Sequence, residues 1–242
     1  MLHGWGSSAE IMRPAAGGLD GHFRVHNLDL PGHGRTPPPP EPWGVPEYAA
    51  LVAAYVEEHR LAPVPVIGHS NGGRIALYMA SDERYAPLFS RLALVSPSGV
   101  TPERPPSYYA KQAWVRTIKA PFALLPEGAL RQRGLDWLRS TIYWRLVAST
   151  DYRQAEGPMR ETFVKTVTHH LDDRLTHIGV PTLLLWGTND TAVSRRQMDT
   201  LEREIPDAGL VVLEGAGHYG YLDDPATYQA AVRHFLGVES DG

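Results

Sequence analysis

Short apolar runs alternate with amphipathic stretches along the chain. Residues 23–28 alternate apolar and polar side chains and run into Asp29-Leu30-Pro31-Gly32, which predicts a strand followed by a turn. Residues 64–67, 92–95, 182–186 and 209–213 are near-continuous apolar runs, each followed within two residues by Gly or Ser. Helical patterns lie between them. Residues 46–59 carry Tyr48, Leu51, Val52 and Tyr55 at 3–4 spacing, a helix-like stretch covers 73–80, Ser194 is an N-cap for a helix reaching 204, and 226–235 is the last helix. Strands that are apolar throughout are buried on both faces. The alternation therefore predicts an α/β fold, a mostly parallel sheet with helices on both sides.

Two segments break this pattern. Thr36-Pro37-Pro38-Pro39-Pro40-Glu41-Pro42 reads as a stiff surface connector. Residues 101–177 are helix-like without a strand and rich in aromatic side chains. The expected organisation is a core from 1–100, a helical cap or lid from 101–177, and the rest of the core from 178–242. Trp114, Trp137 and Trp144 in the insert are candidates to line an apolar substrate pocket.

Composition narrows the function classes. The chain has 242 residues, 43% hydrophobic and 21% charged, as in globular domains. Its net charge of −4 offers no basic surface for nucleic acid or an anionic membrane. With no cysteine, disulfides and thiolate metal sites are excluded. No apolar run approaches the ~20 residues of a membrane span, and the first ten residues lack the pattern of a signal peptide. The expectation is a cytoplasmic monomer or homodimer with a small-molecule substrate, no cofactor and no metal. His169-His170 with Asp172-Asp173 reads as a solvated helix face.

Chemistry concentrates at strand ends. Gly68-His69-Ser70-Asn71-Gly72 is a G-x-S-x-G between a strand pattern and a helix pattern, the context of a nucleophile elbow. A serine hydroxyl needs a base, and the base needs an orienting group. Asp190 in Gly187-Thr188-Asn189-Asp190 follows the strand after the insert, and His218 in Gly215-Ala216-Gly217-His218 follows the last strand. Ser, Asp, His is the chain order that this kind of site uses. His218 is then the base for Ser70, and Asp190 holds its tautomer. The oxyanion would be met by the backbone amides of Asn71 and Trp5, the latter in His3-Gly4-Trp5-Gly6.

Together these motifs resemble the α/β-hydrolase fold superfamily: LHGWG at 2–6, DLPGHGRT at 29–36, GHSNGG at 68–73, GTND at 187–190 and GAGH at 215–218. The resemblance implies a capped bacterial serine hydrolase, similar to carboxylesterases, pimeloyl-carrier-protein methyl esterases and meta-cleavage-product hydrolases. Ser70 in place of an elbow aspartate sets the chain apart from haloalkane dehalogenases and epoxide hydrolases. Hydrolysis of a small carboxylic ester is the expected activity. C–C bond hydrolysis and non-catalytic ligand binding on the same fold are the alternatives. Members of the family carry a hairpin and a third strand ahead of the His-Gly motif, of which only Met1-Leu2 is present. The resemblance thus predicts missing N-terminal strands and an apolar slot within the sheet, and a gain in stability and activity on adding an N-terminal extension.

Overall fold

The computed structural model describes residues 1–103, 106–123, 128, 130, 132–133 and 150–238. Four parallel strands form the sheet in spatial order: β1 (Val64–His69), β2 (Phe89–Val95), β3 (Thr182–Gly187) and β4 (Ala208–Leu213). The described helices are α1 (Ala9–Met12), α2 (Val45–Glu58), α3 (Asn71–Ala80), α4 (Pro106–Ala123), α5 (Thr150–Gln154), α6 (Pro158–Val167), α7 (Arg195–Glu204), α8 (Gly220–Asp223) and α9 (Pro225–Leu236).

The two-residue period of the strands divides the core into two layers. Leu92, Leu94, Leu184 and Trp186 point to one face and pack with Tyr48, Val52, Ile75, Leu77, Met198 and Leu201 of α2, α3 and α7. Ala93, Val95, Leu183 and Leu185 point to the other and pack with Tyr221, Tyr228 and Val232 of α8 and α9. Burial on both faces explains why the strands read as unbroken apolar runs. Local signals set the helix limits. Ser194 accepts a hydrogen bond from the Gln197 amide, and the Gln197 side chain accepts one from the Ser194 amide, which starts α7. Asp224 accepts from the Thr227 amide at the start of α9.

Beyond β1 the sheet continues only as single-residue bridges. Leu2 is bridged in parallel to Gly68 on one side and to Leu28 on the other. The Leu2 amide donates to the Ile67 carbonyl, the His69 amide donates to the Leu2 carbonyl, and the Leu28 amide donates to the Met1 carbonyl. The strand expected over 23–28 is thus present only at Leu28. Met1-Leu2 lies between this segment and β1. Beside them lies an apolar cavity of about 110 Å³, bounded by Leu19, Phe23, Val25, Tyr55, Val66 and Ile67 among others.

The chain divides into two compact units, Met1–Pro102 with Gly157–Gly242, and Glu103–Glu156. The 157–177 part of the expected insert belongs to the first unit. There Thr162 of α6 accepts a hydrogen bond from the Trp43 amide at 2.9 Å, and the Leu171 amide donates to the Gly99 carbonyl. Trp114 lies on α4 of the second unit and is about half exposed. Trp137 and Trp144 lie outside the described residues. No helix among the described residues is long and apolar enough to cross a membrane.

Candidate active site

Ser70 joins β1 to α3 in one step. Its φ of 50° and ψ of −110° place a non-glycine residue in a sparsely populated region, at a cost of about 1–3 kcal/mol. The surrounding backbone holds it there. The Ser70 amide donates to the Val95 carbonyl, and the Ser70 carbonyl accepts from the amides of Arg74 and Ser98. The hydroxyl is thereby presented at the N-terminus of α3, where unsatisfied amides and the helix dipole favour negative charge. Asn71, whose amide opens that helix, is buried.

The His-Gly loop packs against this elbow because two glycines lack side chains. A Cβ on Gly72 would stand 2.1 Å from the Leu2 carbonyl oxygen. A Cβ on Gly4 would stand 3.1 Å from the Ser70 Cβ and 2.9 Å from the His69 Nδ1. Gly4 is therefore seated directly beside Ser70. The Trp5 ring meets His33 edge-on at 4.8 Å and Phe163 of α6 at 5.1 Å.

Asp190 and His218 come from neighbouring strand ends. The loops after β3 and β4 are tied together: the Asn189 amide donates to the Ala216 carbonyl, and its side chain donates to the Gly215 carbonyl at 2.9 Å. The Gly215 amide donates to the Thr188 hydroxyl at 2.8 Å. His218 Nδ1 lies 2.9 Å from Asp190 Oδ2, which assigns the Nδ1 proton to that bond and leaves Nε2 for other work. Asp190 Oδ1 accepts from the amides of Ala192 and Val193, and its side chain is fully shielded from solvent. Burial alone would raise the Asp190 pKa. The hydrogen bonds from His218 and Val193 outweigh it, and the carboxyl is held below its usual range.

His69, next to Ser70 in the chain, links it to His218. Its Nε2 lies 3.0 Å from the His218 carbonyl oxygen, so it is the donor there, and its ring lies 4.8 Å from that of His218. Tyr219 and Tyr221 pack around it. Burial pushes the His69 pKa down to about 3, so the ring is neutral near pH 7. The structure thus brings Ser70, Asn71, Trp5, Asp190 and His218 to one end of the sheet. His3, His33 and His69 belong to the same cluster but were not singled out in the sequence, although all three sit inside its motifs. Among the described residues no group of three His, Cys, Asp or Glu could hold a metal ion. Asp172 is bonded by the amide and hydroxyl of Thr101, and His169 packs on Tyr78.

Residues 1–225 match the family model described as alpha/beta hydrolase fold. The chain belongs to that family. It is 27% identical over 256 residues to a pimeloyl-[acyl-carrier protein] methyl ester esterase of Aeromonas hydrophila, covering 98% of this chain and 94% of the relative. A protein of the same name from Neisseria meningitidis is 25% identical over 252 residues, covering 98% and 92%. Among solved structures, an esterase from Exiguobacterium antarcticum superposes with a TM-score of 0.72 at 21% identity, covering 98% of this chain and 90% of that one. A hydrolase from Pseudomonas aeruginosa gives 0.70 at 22% identity, covering 98% and 88%. At these identities the solved structures speak for the fold alone.

Proposed function

We propose that this chain is a serine hydrolase that cleaves a small carboxylic ester through an acyl-enzyme. One observation carries the reading: the 2.9 Å contact between His218 Nδ1 and Asp190 Oδ2, made at the same strand ends that carry a positive-φ serine at a strand-to-helix turn. In this reading His218 Nε2 takes the Ser70 proton as Oγ attacks the ester carbonyl. Asp190 fixes the tautomer and stabilises the imidazolium that forms. The carbonyl oxygen becomes an anion, met by the Asn71 and Trp5 amides. As the tetrahedral intermediate collapses, His218 returns the proton to the departing alcohol. Water, deprotonated by the same His218, then releases the acid. The names of the Aeromonas and Neisseria relatives support ester substrates over other acyl compounds.

A fluorophosphonate probe tests the nucleophile. Wild-type chain is expected to label and the Ser70→Ala variant not to. Turnover of p-nitrophenyl esters of graded chain length should fall by on the order of 10⁴ to 10⁶ in that variant. A folded wild-type chain that neither labels nor hydrolyses any ester of the series would refute the proposal.

A further inference from the structure

His3 is fully buried, yet its ring makes two directed hydrogen bonds. Its Nε2 accepts from the Leu30 amide at 3.0 Å. Its Nδ1 lies 2.7 Å from the Gly4 carbonyl oxygen, which can only accept. One ring nitrogen is thus an acceptor and the other a donor, which defines the neutral tautomer protonated on Nδ1. The Leu30 amide enforces this choice, since a proton on Nε2 would face an N–H. The Gly4 carbonyl also accepts from the Ser7 amide at 3.2 Å, so it is held from two directions.

That carbonyl shares a peptide group with the Trp5 N–H. A peptide group is planar and trans, so its C=O and N–H point in opposite directions. Whatever fixes the Gly4 oxygen therefore fixes the direction of the Trp5 N–H. A glycine before the peptide group gives little resistance to its rotation, and among the described residues these two hydrogen bonds hold the oxygen. Gly4 itself lies against Ser70, so the N–H is released beside the nucleophile when its oxygen is turned toward His3.

We propose that His3 is a positioning residue that aims the oxyanion donor: by donating from Nδ1 to the Gly4 carbonyl, it turns the Gly4-Trp5 peptide so that the Trp5 N–H faces the developing oxyanion. The inference rests on the acyl-transfer reading above. It gives the DLPGHG segment a task, because Leu30 supplies the amide that selects the His3 tautomer. His33 of the same segment packs on both His3, at 5.3 Å, and the Trp5 ring.

Two substitutions separate the two ring nitrogens. His3→Asn keeps a donor at the Nδ1 position for Gly4 and loses the acceptor. His3→Gln keeps an acceptor at the Nε2 position for Leu30 and loses the donor. The readouts are kcat, KM, melting temperature and the rate ratio between a p-nitrophenyl ester and its thiono analogue. Sulfur accepts hydrogen bonds poorly, so an aimed N–H makes this ratio large. His3→Gln is expected to lose about 30-fold or more in kcat with KM nearly unchanged, and its ester-to-thionoester ratio to shrink about tenfold. His3→Asn should keep the wild-type ratio. Equal ratios in the two variants, whether kept or lost, overturn the proposal. If either variant fails to fold, nitrogen NMR of the wild-type His3 ring decides: a proton on Nδ1 supports the proposal and one on Nε2 overturns it. A wild-type chain inert toward every ester and the fluorophosphonate would instead overturn the functional reading, and this inference with it.

Discussion

The two ends of the sheet support the site by different means. On the β2-β3-β4 side, continuous parallel ladders run to the strand ends, and the Asp190 and His218 loops are tied directly to one another by backbone and side-chain hydrogen bonds. On the β1 side, the sheet beyond β1 is reduced to single-residue bridges through Leu2. The loop that carries the Trp5 amide follows directly on Leu2. Side chains take over the positioning: His3 holds the Gly4 carbonyl, His33 and Phe163 flank Trp5, and the bare Cα of Gly72 lets the Leu2 carbonyl close in. Backbone ladders hold Asp190 and His218, whereas packed imidazoles hold the Gly4-Trp5 peptide. The first arrangement should tolerate side-chain changes in its neighbourhood better than the second.

On the ladder-supported side the expected effect is large and chemical only. Asp190→Asn keeps the shape of the loop and the acceptor for the Ala192 and Val193 amides, but removes the charge that stabilises a protonated His218. We expect kcat to fall by about 10⁴. The melting temperature should change little, because backbone bonds that do not involve the carboxylate hold the loop. A large drop in stability would show that the carboxylate, not the ladder, secures this end.

The opposite end should fail structurally. Gly72→Ala would place a Cβ 2.1 Å from the Leu2 carbonyl oxygen, and that atom belongs to backbone bridged on both sides. Relief requires the Leu2 bridges to shift. We expect a loss of about 3 kcal/mol in denaturant unfolding, with activity falling in parallel. A variant as stable as wild type would mean that the first residues are not anchored as described.

What could be read from the sequence differs between these ends for a physical reason. Residues 92–95 and 182–186 advertise burial on both faces because every side chain but that of Thr182 is apolar, and the observed strands contain both runs. Residues 23–28 show the alternation of a half-buried strand, but alternation reports burial and not a partner, and only Leu28 found one. Ser70, Asp190 and His218 were legible because each follows its own strand in a fixed order. His3 and His69 were not. Their partners are the Leu30 amide and the Gly4 and His218 carbonyls, backbone groups present at every non-proline residue and so invisible in a string of side chains. Nothing in the letters distinguishes a buried, tautomer-locked histidine from an exposed one.

Acid titration gives the finest test of the comparison. Burial lowers the His3 pKa to about 4 and the His69 pKa to about 3, from 6.5. A histidine whose folded pKa lies below its unfolded value binds its proton more readily in the unfolded chain. Its contribution is complete above about pH 6.5 and is lost as pH falls toward the folded value. Each such group costs up to roughly 1.4 kcal/mol per pH unit in that window. Asp190 has the opposite sense: with a folded pKa below the usual 3.8, its contribution persists until the pH falls below that value. Stability lost between pH 6.5 and 4 therefore belongs mainly to buried histidines, and that lost below about pH 3.8 to the carboxylates. Urea midpoints measured from pH 7 to 4.5 should fall steadily in the wild type. In His3→Gln the fall should be shallower by one histidine's share, since His69, His33 and others remain. An unchanged slope would mean that His3 already carries a proton in the folded chain. The Leu30 amide would then have no acceptor on its ring, and the side-chain support assigned to the oxyanion end would lose its first member.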